Sequence, residues 1–120
     1  MNIILIPPSD RELEETIDYY NDQMHGLGEQ FYDAFLITVN YISIAPEAWR
    51  KVGSNTRRIN IKRFPYLILY VFDENDILIT CIAHQHRNPT YYADRDIQTH
   101  KSPEELIKKV DSIEQFVMSV

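Results

Sequence analysis

Cleaving a phosphodiester without a metal needs a base for the 2′-hydroxyl, an acid for the leaving oxygen and cations for the charge that develops on phosphate. One stretch of this chain carries candidates for each role: His84, His86, Arg87, Tyr91 and Tyr92. Upstream, Arg58, Lys62 and Arg63 could supply further positive charge. His84 and His86 are two residues apart, so on a strand they share a face. A histidine near its ordinary pKa can act as base or acid. The bland alternative is at least as good, because clustered titratable groups are often structural. His84 can cap a strand end or support Arg87, and the catalytic residues stay unassigned.

Other chemistries fare worse. His84-x-His86 lacks a nearby cysteine or third histidine, so a metal site is disfavoured and no cofactor is expected. Cys81 lies inside an apolar run, where a thiol is a buried, inert group rather than a nucleophile. A lone cysteine also leaves no intrachain disulfide, which fits a reducing compartment.

The charge is unevenly distributed. The formal net charge is −6, which argues against nucleic-acid binding by the whole surface and against specific DNA contact. Residues 1–47 carry one basic residue, Arg11, against nine acids. Residues 50–63 carry six basic residues and no acid. On one surface they would form a basic patch that steers an acidic partner, though an ordinary solvated loop and strand would also account for them.

Elements must position these groups. Asn2 to Ile6 reads as a short strand ended by Pro7-Pro8. Ser9 to Glu12 has the spacing of a capping box. Leu13, Ile17, Tyr20 and Met24 follow on one helical face. Acids in the first turns suit the helix dipole. Gly26 separates this helix from a second, over residues 27–45, with Phe31, Ala34, Phe35, Thr38 and Ile42 inward; Pro46 stops it. The two helices form an antiparallel hairpin.

The period then becomes two. Ile59 and Ile61 face one way in a half-exposed strand over 58–62. Residues 66–72 are uniformly apolar, as in a central strand covered on both faces. A polar turn at 73–76 leads into the apolar run 77–83, giving a hairpin. Ser102-Pro103-Glu104-Glu105 opens an amphipathic helix over 103–118, with Leu106, Val110, Ile113 and Val117 on one stripe. Strands and helices are segregated, so the class is α+β. The expected organisation is a domain over 1–95 and an extension over 96–120 in the same structural unit. No export signal or membrane span is legible, and the expected localisation is cytoplasmic.

An ordered set of motifs resembles the RelE/ParE superfamily of type II toxins, closer to the ParE branch. The set comprises Gly26-Leu27-Gly28 with Phe31, then Ile44-Ala45-Pro46, then Arg57 or Arg58 ahead of Phe64-Pro65-Tyr66 and Tyr70. His84, Arg87, Asn88-Pro89, Tyr91-Tyr92 and Arg95 complete it. The resemblance covers roughly residues 1–95. It implies an antiparallel sheet of three to four strands with the α-hairpin on one face, plus the extra C-terminal helix.

The resemblance also implies a toxin encoded beside an antitoxin that neutralises it. ParE-branch toxins poison DNA gyrase; RelE-branch toxins cleave mRNA on the ribosome without a metal. RelE-type nucleases put cations on the strand matching residues 66–72, and here it has none. The expected mechanism is therefore inhibition by protein contact through Arg58, Lys62, Arg63, Arg87 and Arg95, without membrane association. The alternatives are a ribosome-dependent endonuclease using His84, Arg87, Tyr91 and Tyr92, or an inactive homologue that serves as a binding module. Two departures stand out: a tail from Asp96 extends past the usual end, and tyrosine replaces a tryptophan often found near positions 91–92. The tail's apolar stripe must be covered by its own domain, by mimicry of an antitoxin helix, or by a homodimer contact.

Overall fold

A computed structural model describes residues 1–95 and 118–119. The elements run β1 (Asn2–Leu5), α1 (Ser9–Gln23), α2 (Leu27–Ile44), β2 (Arg50–Lys51), β3 (Arg57–Asn60), β4 (Tyr66–Asp73), β5 (Asp76–His84) and β6 (Met118–Ser119). Two short 3-10 turns follow β5, at Pro89–Tyr91 and Ala93–Arg95. Among the described residues the strands form one sheet in the order β2-β3-β4-β5-β1-β6.

The sheet is mixed, which corrects the antiparallel expectation. β3, β4 and β5 are an antiparallel meander, but β1 lies parallel to β5, with Ile3 opposite Ile77 and Leu5 opposite Ile79. Ile3, Ile4 and Leu5 are all buried, as an interior strand requires. Five strands precede residue 96, one more than the upper expectation. The addition is β2, two exposed residues paired with Arg57 and Arg58. β6 adds a short antiparallel pairing on β1. The helix expected over 103–118 lies outside the described residues except for Met118, which is in β6.

Both helices pack on one sheet face. Leu13 from α1 and Phe31, Phe35, Val39 and Ile42 from α2 meet Ile68, Tyr70 and Ile79 in the main core. Met24, assigned to the inner stripe by spacing, is the helix's last cap and is exposed. Gly26 caps α2 with φ 87°, a left-handed conformation that glycine adopts without Cβ strain. Gly28 serves closeness instead: a Cβ there would sit 2.4 Å from the Ile17 carbonyl oxygen. Its N–H donates to Asn21 Oδ1 at 2.8 Å, tying the helices together.

Two contacts hold the link from α2 to β2. The Tyr70 hydroxyl donates to the Pro46 carbonyl at 2.6 Å. Arg57 donates to the Glu47 and Trp49 carbonyls at 2.9 and 2.7 Å and lies over the Phe72 ring. The opposite sheet face has a smaller apolar cluster of Leu67, Leu69, Cys81 and Ala83, covered in part by Tyr91 and Tyr92.

Candidate functional site

The first site is built around a bulge. Leu69 pairs with Cys81 and Tyr70 with Ile79, so Thr80 is an extra residue in β5. A bulge reverses which backbone groups face each neighbour. Before it, the Ile79 carbonyl faces β1 and accepts from the Ile6 N–H at 2.9 Å. Beyond it β1 has ended, and the Thr80 carbonyl and Ile82 N–H take side-chain partners. Ile82 N–H donates to Glu12 Oε1 at 3.0 Å. Thr80 O accepts from Arg95 at 3.2 Å.

Glu12 and Arg95 thus complete the sheet beyond the end of β1, where no strand lies among the described residues. Arg95 Nη1 lies 2.9 Å from each Glu12 carboxylate oxygen, and both side chains are largely buried. The Tyr91 hydroxyl donates to Glu12 Oε2 at 2.5 Å. That bond, with burial second, raises the Tyr91 pKa by favouring the protonated phenol. Burial opposes the charge on Arg95, but the bonds to Tyr91 and Glu12 outweigh it and raise its pKa.

Aromatic and cationic groups stack outward from this core. The guanidinium carbons of Arg87 and Arg95 lie 3.8 and 4.6 Å from the Tyr91 ring centroid. His84 ends β5, and its Nδ1 accepts from the His86 backbone N–H at 3.0 Å. The His84 ring meets those of Tyr66 and His86, each with centroids 5.3 Å apart. A shallow cavity of about 250 Å³ opens here, lined by Glu12, Glu15, Tyr66, His84, Arg87 and Tyr91 among others. Among the described residues no three His, Cys, Asp or Glu side chains converge.

The second site is a larger groove of about 730 Å³ between α2 and the outer edge of β3. Ile37, Thr38 and Tyr41 form its helical wall, and Trp49 and Ile59 contribute apolar surface. Arg50, Arg58 and Lys62 line it as cations. Lys62 Nζ lies 5.9 Å from the Tyr41 ring centroid. Arg58 Nε donates to Asn60 Oδ1 at 3.2 Å.

A family model described as ParE toxin of type II toxin–antitoxin system, parDE, matches residues 3–89. The chain belongs to the ParE toxin family. No curated protein sequence matches it. Among solved structures it is similar in fold to a chain from the chromosomal ParDE TA system of P. aeruginosa, with a TM-score of 0.52 and 14% identity. That match covers 70% of this chain and 95% of the other. Membership in the ParE family implies a cognate ParD antitoxin.

In this ParE-family chain the residues singled out by sequence fall into separate settings. Arg58 and Lys62 share the β3 groove. Arg87 belongs with His84 and Tyr91 at the other cavity. Arg63 is exposed in the turn between β3 and β4, with φ 75°. Arg95 is taken up by Glu12, so its charge serves the fold. Tyr92 packs with Tyr91 on the second apolar cluster and lines a separate cavity with Pro89 and Arg95.

Glu12 was missed as a site residue because its spacing from Ser9 suggested a capping box. Ser9 is instead inside the first turn, after the cap at Pro8. Its hydroxyl is within reach of the Ile6 and Ile79 carbonyls, at 2.6 and 2.8 Å, and makes no bond to the α1 backbone N–H groups. A glutamate on the inner side of the helix, one residue before Leu13, was the available signal. Among the described residues no helix is long and apolar enough to cross a membrane.

Proposed function

We propose that this ParE-family chain is a toxin that acts by protein–protein contact on a target such as DNA gyrase and is released from that role by its antitoxin. The observation that carries this reading is the Tyr91–Glu12–Arg95 assembly. It commits the Tyr91 hydroxyl, which the nuclease reading would use, to Glu12, and it also withdraws Arg95 from the contact surface. β4 adds no cation, since it reads Tyr-Leu-Ile-Leu-Tyr-Val-Phe-Asp. Arg50, Arg58 and Lys62 share a groove with Ile37, Tyr41, Trp49 and Ile59, an arrangement suited to recognising a protein.

The test is threefold. The chain is expressed in growing cells with and without its antitoxin, and growth is followed. Purified protein is then assayed against gyrase supercoiling, and against mRNA on ribosomes. Growth arrest with loss of supercoiling and intact mRNA supports the reading. Ribosome-dependent cleavage would replace it with the endonuclease reading, and no arrest would leave an inactive binding module.

A further inference from the structure

β5 ends at His84, and the Gln85 N–H is still tied to the body by the Pro65 carbonyl at 2.8 Å. Past that point the backbone leaves the sheet. The Tyr91, Tyr92 and Arg95 N–H groups donate back to the Asn88, Pro89 and Tyr92 carbonyls, at 2.9, 3.2 and 3.1 Å. Asn88 Oδ1 accepts from the Thr90 N–H and from its hydroxyl, both at 3.0 Å. All of these bonds lie inside residues 88–95. Among the described residues, no backbone bond joins this strap to a helix or strand.

Side chains hold it down, and the polar ones converge on one carboxylate. Glu12 accepts from Tyr91 and from Arg95, and Arg95 also reaches Thr80 O. Glu12 itself belongs to the body, because α1 carries it and the Ile82 N–H donates to it. The apolar attachment is Tyr91 and Tyr92 against Leu67, Leu69, Cys81 and Ala83. No residue of the two 3-10 turns is fully buried.

The strap is also flanked by cavities. The one of about 250 Å³ lies on its Tyr91 side. Another of about 280 Å³, lined by Val52, Thr56, Leu69, Pro89, Tyr92 and Arg95 among others, lies on its Tyr92 side. A segment with local backbone bonds, half-buried side chains and space beside it opens at far lower cost than the core. Opening strands neither charge of the ion pair. Arg95 leaves with the strap for water, and Glu12 already lines the cavity on the Tyr91 side.

Lifting the strap changes what the molecule presents. Arg95 turns from a structural cation into a free one, and the apolar cluster beneath Tyr91 and Tyr92 is uncovered. An arginine and two tyrosines beside apolar surface have the composition of a protein-binding hot spot. We propose that residues 88–95 lift from the sheet as one unit, with Glu12 as the latch, and that the lifted form is the one that engages the target. The second half of this proposal rests on the toxin reading; the first half does not.

Cys81 reports on the strap, since it is wholly buried in the cluster on which Tyr91 and Tyr92 pack. Alkylation of the folded full-length chain is followed in rising urea, below the unfolding transition. Lifting uncovers little surface, so labelling at low urea should hardly depend on denaturant and should steepen only near global unfolding. Glu12→Gln and Tyr91→Phe each weaken the latch and should speed low-urea labelling by about tenfold. Ile42→Val lowers global stability from the helical core and should leave that rate unchanged. Circular dichroism confirms that each variant is folded.

A labelling rate that follows global stability in wild type and all three variants would overturn the proposal, because Cys81 would then be reached only by unfolding. So would a low-urea rate that stays at the wild-type value in both latch variants. In cells, at equal abundance, the latch variants should arrest growth at lower expression than wild type. Weaker or unchanged arrest refutes the target half. If the wild-type chain itself fails to arrest growth, the toxin reading falls and the labelling result still decides the strap.

Discussion

Glu12 and Arg95 are 83 residues apart in sequence, yet Nη1 of the arginine sits 2.9 Å from both carboxylate oxygens. Their side chains are 8% and 15% exposed. Removing one partner of a buried ion pair leaves the other charge uncompensated, which costs about 3–5 kcal/mol. Glu12→Ala should lose stability on that scale, because Ile82 N–H and Tyr91 lose their acceptor as well. The double variant with Arg95→Ala should cost less than the two singles combined. Urea unfolding of the four proteins checks this. Additive losses would mean that the two side chains act independently.

Gly28 is expected to resist even alanine. The intruding Cβ would meet backbone, the Ile17 carbonyl at 2.4 Å, rather than a side chain able to swing away. The helices must separate, at a cost of about 1–3 kcal/mol typical of overpacking. Gly26→Ala meets no atom within 4 Å and carries only the left-handed backbone penalty, about 1–2 kcal/mol. Native-state amide hydrogen exchange should therefore differ between the two variants. Gly28→Ala should loosen the α1 amides near Ile17; Gly26→Ala should not. Matching exchange maps would contradict the close-approach account.

Much of this architecture was legible in local pattern. The 3.6 periodicity located both helices, and the alternation in Ile59 and Ile61 located β3. Pairing partners were less accessible. Ile3 to Leu5 is equally compatible with parallel or antiparallel neighbours, so the parallel match to β5 is a tertiary outcome. β2 is two charged residues that carry no strand signal of their own. The Thr80 bulge leaves no mark in a uniformly apolar run, yet it aims the groups that Glu12 and Arg95 complete. The site was partly visible for the same reason: Tyr91, Arg87 and Arg95 stood out by type, while Glu12 resembled an ordinary helix-start acid.

Alkaline pH should unfold the protein through two buried groups. Burial pushes the Cys81 thiol from its ordinary 9.0 to about 12, with Glu12 adding to the effect. Burial likewise pushes the Tyr70 phenol from 10.0 to about 12, partly offset by Arg57. Both folded values are raised, so stability is intact below the unfolded values. It falls as pH climbs from 9 towards 12, because the unfolded chain releases these protons first. Cys81→Ala should flatten the lower part of that decline, measured as unfolding free energy against pH. Native Cys81 should also resist alkylation at pH 8 and react once unfolded. Rapid native labelling would place the thiol at the surface.

Arg63 is the one non-glycine residue with positive φ among the described residues, at 75° in the turn from β3 to β4. A left-handed conformation costs an L-residue about 1 kcal/mol that glycine avoids. Its side chain is exposed, so little packing is lost on truncation. Arg63→Gly should be neutral or stabilising by up to about 1 kcal/mol, whereas Arg63→Val should destabilise. If Arg63 also touches the target, the glycine variant will arrest growth less while unfolding no earlier. Reduced stability in the glycine variant would show that the side chain supports the turn.

Arg87 gives the sharpest separation of contact from structure. It is exposed, and its guanidinium lies 3.8 Å from the centroid of the Tyr91 ring, whose hydroxyl is already committed to Glu12. A stacking cation at an exposed site contributes about 0.5–1 kcal/mol. Arg87→Ala should therefore lower stability by no more than about 1 kcal/mol. Tyr91→Phe should cost more, because it strips a hydrogen bond from a buried carboxylate. Under the contact mechanism Arg87→Ala weakens toxicity despite its folded state, and Arg87→Lys restores it in part by keeping the charge. Under the endonuclease alternative the lysine variant would cleave poorly, since a point charge replaces the planar fork that can hold phosphate at two oxygens. Growth arrest and unfolding free energy, measured on the same three variants, distinguish these outcomes. Full toxicity in Arg87→Ala would remove this arginine from the target surface altogether.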